Sequence, residues 1–294
     1  MILVSGAAGK TGLTVIRGLA ALNQPVRALV YRKEQIEAVA SAGAGEWTVG
    51  DMRLSTTLGE AVRDVQSIYH ICPNVSPDEV VIGQEMIAAA QAARVEHFVY
   101  HSVLHPQVEA MLHHWSKMRV EAMLLESGLA YTILQPASYM QNILTQWRSI
   151  VKDGVYETPY AAATWLGTVD LEDVAAAACA VLTEGDHAGA TYELAGPEVL
   201  TQTDVADILV RRLNRSVRVV EVSRDAWADR ARASGLGEYQ VDALVKMFAY
   251  YERVGFWGNP RVLAHLLGRA PTTFDAFVER VMLASSTPRA GWLD

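Results

Sequence analysis

The chain has 294 residues, of which 51% are hydrophobic and 20% charged, with a formal net charge of −8. That length and apolar content exclude a disordered chain and suit one or two packed domains with a large core. The acidic balance argues against non-specific nucleic-acid binding, which needs a basic surface to displace condensed counterions. The only two cysteines, Cys72 and Cys179, lie far apart in sequence and lack metal-ligand spacing; so few argue against a disulfide framework and fit a reducing compartment.

The first residues, Met1 to Ser5, read as a buried strand without a charged leader, so no signal peptide is expected. The alanine-rich run 174–182 is less than half the about twenty apolar residues that a membrane span needs. A cytoplasmic protein with no membrane and no nucleic-acid partner is expected. In chain order, strands are predicted at 2–4, 25–31, 47–49, 67–71, 97–102 and 131–135. Between them fall helical patterns at 11–21, 32–42, 54–63, 78–94 and 113–127. This alternation implies right-handed crossovers and an α/β fold, a doubly wound parallel sheet covered on both faces. After Pro136 the regularity breaks down: 157–168 reads as turn-rich, 170–183 as a helix and 191–194 as a strand. From 201 onward the chain is mostly helical, with one strand at 217–222.

The turn after the first strand, Gly6-Ala7-Ala8-Gly9-Lys10-Thr11-Gly12, carries three glycines between a strand and a helix. In that place Gly6 permits the tight turn, Gly9 lets backbone approach a pyrophosphate, and Gly12 lets the helix sit against the strand. The helix N-terminus then presents N–H groups to the anion. The second strand ends in Tyr31-Arg32-Lys33, with no carboxylate at its tip to hold a ribose 2′-hydroxyl. Arg32 and Lys33 suit a 2′-phosphate instead, so NADP(H) is expected over NAD(H); the plainer reading is a solvated basic start of the next helix.

From here the sequence resembles the NmrA-like branch of the atypical short-chain dehydrogenase/reductase family. The resemblance rests on Gly6 to Gly12, Tyr31-Arg32, Gly50-Asp51, the run 113–117, the segments 127–136 and 192–198, and the late stretch 267–274. It implies a Rossmann-type NAD(P)-binding domain over 1–155, with returning elements from about 165–195. A smaller, mostly helical substrate domain follows over 196–294. It also implies that Gly6, Ala8, Gly9, Lys10, Thr11 and Gly12 line the pyrophosphate, Arg32 and Lys33 the 2′-phosphate, and Asp51 and Met52 the adenine. Cys72, Pro73, Ser102, Pro136, Ser138 and Tyr139 would border the ribose and nicotinamide.

Enzymes of that superfamily use a Tyr-x-x-x-Lys pair with a nearby Ser, the ammonium lowering the phenol pKa across one helical turn. In this chain the lysine is Lys117, the Ser position is Ser102, and the Tyr position holds His113. The resemblance thus implies Lys117 on the nicotinamide ribose, with His113 either a proton donor near neutral pH or the mark of a site that has lost its acid. His97, His101 and His105 recur every fourth residue, but along a strand such side chains lie roughly 13 Å apart, too far for one ion, so no metal is expected. Cys72 reads as a packing residue, or as a reactive thiol if it borders the cofactor. Tyr139, Met140, Trp165, Phe256 and Trp257 are the candidate contacts for an apolar or aromatic small-molecule substrate.

Two functions compete on this reading. One is an NADPH-dependent oxidoreductase, supported by Lys117 and Ser102. The other is a non-catalytic NADP(H)-binding redox sensor or regulator of the NmrA type, supported by the missing Tyr. A sugar-nucleotide epimerase is disfavoured by the same departure. The helix 78–94 offers a face for a homodimer.

Overall fold

The computed structural model describes residues 1–285. In chain order the first elements are β1 (Ile2–Val4), α1 (Lys10–Ala21), β2 (Val26–Val30), α2 (Ile36–Ser41), β3 (Glu46–Val49), α3 (Ser55–Ala61) and β4 (Ser67–His70). Next come α4 (Glu79–Ala93), β5 (His97–His101), α5 (Leu112–Glu126), β6 (Tyr131–Pro136), β7 (Ser138–Tyr139), α6 (Trp147–Asp153), β8 (Val155–Thr158) and β9 (Leu166–Val169). Then follow α7 (Leu171–Thr183), β10 (Ala190–Leu194), β11 (Val199–Leu200), α8 (Gln202–Leu213), β12 (Arg218–Glu221), α9 (Arg224–Ala233), α10 (Glu238–Val254), α11 (Arg261–Leu267) and α12 (Phe274–Ser285). The chain divides into two units, one of residues 1–136 and 174–193, the other of 137–173 and 194 onward.

The first unit is built on a seven-stranded sheet in the order β10-β6-β5-β4-β1-β2-β3. The pairs from β1 to β6 are parallel, so the apolar runs of β1, β4 and β5 are buried on both faces. Leu3, Ile68, Phe98, Tyr100 and Ile133 of the strands pack with Met86 and Ile87 of α4 and Val120 and Leu124 of α5. Only β3, at the sheet edge, is largely exposed. The order reverses beside β1, where β2 lies on one side and β4 on the other. In open sheets of this kind that reversal, at the carboxyl ends of the strands, is the usual ligand position.

The second unit holds two small sheets, β11-β9-β7 and β12-β8, and a core of Ile143, Trp147, Ile150, Leu209, Phe274 and Phe277. Here the structure departs from the sequence expectation. The stretch 157–168 is not only turns: it contains the end of β8 and most of β9. Each strand is short and its partner is remote in sequence, β12 beside β8 and β11 beside β9, so no local alternation marks it. For the same reason the first unit's opening segment ends at Pro136 rather than 155, and the chain returns to it at Val174 rather than near 165. The helix expected over 32–42 begins as a 3₁₀ turn at Lys33–Gln35, where the Gln35 side chain accepts hydrogen bonds from the Tyr31 and Arg32 amides. Among the described residues, no helix is long and apolar enough to cross a membrane.

Candidate functional site

The residues singled out after β1, β2, β3, β4 and β5, and Pro136 at the end of β6, all follow the carboxyl ends of parallel strands, so one edge of the sheet carries them. In the glycine turn the three glycines have different reasons to be glycine. Gly6 has φ +55°, and a Cβ there would lie 2.7 Å from the Ile71 carbonyl oxygen. A Cβ on Gly12 would lie 2.6 Å from the carbonyl oxygens of Gly6 and Ala7. The fold itself therefore requires both. Gly9 has ordinary extended dihedrals (φ −75°, ψ 163°), and its Cβ would meet only the Gly6 carbonyl oxygen, at 3.3 Å. It is the N-cap of α1, supplies no capping side chain, and is exposed together with Lys10. A helix N-terminus left uncapped behind a glycine that the protein's own packing barely needs is a cradle for an anion, and the pyrophosphate of a dinucleotide fits it.

Arg32 and Lys33 are exposed at the end of β2, and neither side chain forms an ion pair among the described residues. They are open to a phosphate. After β3, the Asp51 carboxylate is gripped by Arg53 at 2.6 Å, which holds it below the usual carboxylate range, and Arg53 reaches Asp78 at 3.2 Å. Met52 packs partly against the first unit's core. After β4, Pro73 is exposed while Cys72 is buried, and burial pushes its thiol far up. Of the two readings of Cys72, the packing one fits; a thiolate does not.

The α5 face was expected to carry the chemistry, and it holds more than the sequence showed. His113, Lys117 and Glu121 follow at four-residue intervals and share one face. Lys117 does not pair with Glu121, its neighbour one turn on. Its Nζ donates to Glu79 Oε1 at 2.9 Å and to the His101 carbonyl at 3.1 Å, and sits 5.3 Å from the centre of the Tyr100 ring. Tyr100 donates its hydroxyl to the same Glu79 oxygen at 2.8 Å. Burial alone would raise the Glu79 carboxyl, but the Lys117 charge and the hydrogen bonds from Lys117 and Tyr100 hold it below the usual range. Around this pair burial keeps His70 neutral, pushed down to about 4. Burial and Lys117 together hold His101, which shares a 2.6 Å hydrogen bond with the Tyr69 hydroxyl, down to about 3.

Ser102 is buried and donates its hydroxyl to Glu121, which also accepts two bonds from Gln135 at 3.0 Å. Burial raises the Glu121 carboxyl against those hydrogen bonds. His113 has a buried Nδ1 without a partner, and burial together with the nearby Lys117 ammonium pushes it down to about 4. At neutral pH it is an uncharged imidazole, where an imidazole titrating near pH 7 was one of the two expectations. Glu79, Tyr100, Glu121 and Gln135 were missed. For Glu121 the signal was available in the i, i+4 spacing after Lys117; for Glu79, 38 positions before its partner, there was none.

The second unit has its own cavity, of about 80 Å³, lined by Ser138, Tyr139, Met140, Tyr156, Tyr160 and Phe274 among others. Of the expected substrate contacts, Tyr139 and Met140 line it, and Ser138 joins them from β7. Phe256 does not: it is 2% exposed, stacked on Tyr251 with ring centres 4.7 Å apart, and its backbone ties the 255–257 segment to Trp165 and Gly167. That correction has a simple cause, since an aromatic ring in the core has no surface left for a ligand. Trp165 and Trp257 are exposed. Among the described residues no three His, Cys, Asp or Glu side chains could hold a metal ion. His97 bonds the Thr132 hydroxyl at 2.9 Å, away from the partner of His101.

A family model described as the NmrA-like family matches residues 1–278. The chain is 29% identical to the NAD(P)H azoreductase of Xenophilus azovorans over 284 residues, covering 95% of this chain and 97% of that one. It is similar to the crystal structure of NADPH-dependent quinone oxidoreductase of Escherichia coli complexed with NADPH. There the identity is 27% and the TM-score 0.84, over 96% of this chain and 100% of that one. The crystal structure of Nmra, a negative transcriptional regulator, shares the fold at 18% identity and a TM-score of 0.79, over 100% and 99% of the two chains.

Proposed function

Since the chain belongs to the NmrA-like family, we propose that it is an NADPH-dependent reductase whose acceptors are apolar or aromatic molecules of the quinone or azo type. When bound, NADPH supplies a hydride from its nicotinamide ring. The amides at the start of α1, opened by Gly9, hold the pyrophosphate, and Arg32 with Lys33 holds the 2′-phosphate. Lys117 holds the nicotinamide ribose through an N–H that its protein partners leave unclaimed. The azoreductase and the NADPH-bound quinone oxidoreductase support both the cofactor and the acceptor class.

One observation carries the acceptor class: no cationic acid stands at the positions where a proton donor was expected. His113 is an uncharged imidazole and the Ser102 hydroxyl is engaged with Glu121. Reduction of an isolated ketone makes a localised alkoxide that needs a positioned acid. Reduction of a quinone makes a delocalised hydroquinone anion, which water protonates without help. Tyr139, Met140, Tyr160 and Phe274 of the second unit's cavity, and the exposed Trp165 and Trp257, offer apolar and aromatic contacts. The test is NADPH oxidation across quinones, azo dyes and aliphatic ketones. Quinone or azo turnover far above ketone turnover is expected; equal rates on a simple ketone would overturn the acceptor class.

The same lack of an acid also favours a second reading, a non-catalytic NADP(H)-responsive regulator. It predicts no NADPH oxidation with any acceptor, together with a proteolysis pattern that distinguishes NADPH from NADP⁺.

A further inference from the structure

Glu79 has no place in the chemistry described above, yet it is the most deeply buried charge near Lys117, with 3% of its side chain exposed against 14% for the lysine. A buried ion pair is a poor stabiliser, because desolvating both charges offsets most of their attraction. An apolar pair between α4 and α5 would hold those helices together at least as well. The pair also has a direction. An ammonium has three N–H groups in fixed tetrahedral relation. Glu79 takes one at 2.9 Å and the His101 carbonyl, at the end of β5, takes a second at 3.1 Å. With two fixed, the third can point only one way, and no described residue accepts it. Tyr100 locks the other end of the clamp by donating to the same carboxylate oxygen at 2.8 Å from within the sheet.

We infer that Glu79 is a positioning residue for Lys117. Its carboxylate and the His101 carbonyl orient the ammonium so that the one unclaimed N–H is presented to the cofactor ribose. This rests on the reading of Lys117 as a ribose contact. In it Glu79 never touches the cofactor and acts only through the lysine.

A double-mutant cycle on NADPH affinity, measured by calorimetry without any acceptor, tests this directly. Lys117→Met is expected to weaken NADPH binding about tenfold, the low end for one charge-assisted hydrogen bond. Glu79→Ala is expected to cost about five- to tenfold, because the lysine then keeps a single anchor. The double variant should bind no more weakly than Lys117→Met alone, and Glu79→Gln, which keeps an acceptor in place, should recover most of the loss. In turnover, Glu79→Ala should raise KM for NADPH and leave KM for the quinone unchanged. A merely structural loss would lower kcat through the active fraction at unchanged KM. Multiplicative losses in the double variant would overturn the inference, since Glu79 would then act by another route. NADPH binding unchanged in Lys117→Met would instead sink the ribose contact itself. If Glu79→Ala does not melt cooperatively, the same cycle runs with Glu79→Leu, which removes the acceptor at similar volume and whose loss must likewise vanish in the Lys117→Met background.

Discussion

The glycine turn after β1 and the face of α5 both belong to the first unit, yet they are built on opposite principles. In the turn the working groups are backbone amides at a helix end, exposed, with Gly9 contributing only the absence of a side chain. On α5 the working groups are side chains: Lys117 is clamped by Glu79, Glu121 receives Ser102 and Gln135, and His113 is held neutral by burial. The proposed anion cradle is written into main-chain geometry alone, where few substitutions touch it. Orienting a single ammonium takes buried, mutually dependent groups instead. The first site should fail locally when changed, and the second should fail through its neighbours.

The sharpest separation comes from Gly9→Val. Its extended dihedrals accept a side chain, so circular dichroism and the cofactor-free melting temperature should match the parent. NADPH affinity should fall by at least about a thousandfold, about 4 kcal/mol. Gly12→Val, aimed into backbone oxygens 2.6 Å away, should lose the folded protein instead. If both variants fold alike, the distinction between the glycines is wrong.

Next in size is acid stability, which reads the buried side. His70 and His101 are neutral in the folded protein, depressed to about 4 and about 3 from an ordinary 6.5. The unfolded chain takes up their protons first. Stability is thus in full force above pH 6.5 and falls as pH drops from there towards 4, by up to about 1.4 kcal/mol per pH unit for each histidine. Urea melts across that window should show the decline, and His70→Asn together with His101→Asn should make it shallower, leaving the share of His97, His113 and His114, which burial depresses as well. A decline confined to below pH 4 would assign it to carboxylates.

Arg32→Asp probes the exposed side again. The preference for NADPH over NADH should shrink by about ten- to a hundredfold, the worth of a charge-assisted bond to phosphate, with the melting temperature unchanged. Equal affinities for the two cofactors in the parent would refute the assignment. The smallest effect is expected at His113. With a neutral imidazole, His113→Asn should change quinone kcat/KM by less than about threefold and leave the profile flat from pH 6 to 8. A positioned acid would cost about 10²–10⁴.

The strand, turn and helix that carry the glycines were readable from sequence. A glycine triplet has meaning only between a strand and a helix, and β1 and α1 are local patterns that periodicity reports. The side-chain site was read in part. Lys117 was singled out by the resemblance to the family's Tyr-x-x-x-Lys pattern, but Glu79 looked like an ordinary acidic residue in the first turn of α4, where carboxylates complement the helix dipole. Nothing local says that it is buried or that its partner lies on another helix. Strands β8 and β9 were overlooked for a related reason, because two- to four-residue strands take their identity from partners that arrive later in the chain. Phe256 failed in the opposite direction: an aromatic residue beside an exposed Trp257 reads as surface, and its stacking on Tyr251 is set by packing alone.

The chain passes from one unit to the other after Pro136, after Asp173 and after Glu193. Neither unit is therefore a cassette that one cut can remove. A stop codon after Glu193 would delete β11 and β12, leaving β8 without its partner and β9 paired with β7 alone, each with an unpaired edge. Anyone recombining this protein with a relative to exchange the second unit must move 137–173 and everything from 194 onward together, and keep the intervening twenty residues from the recipient.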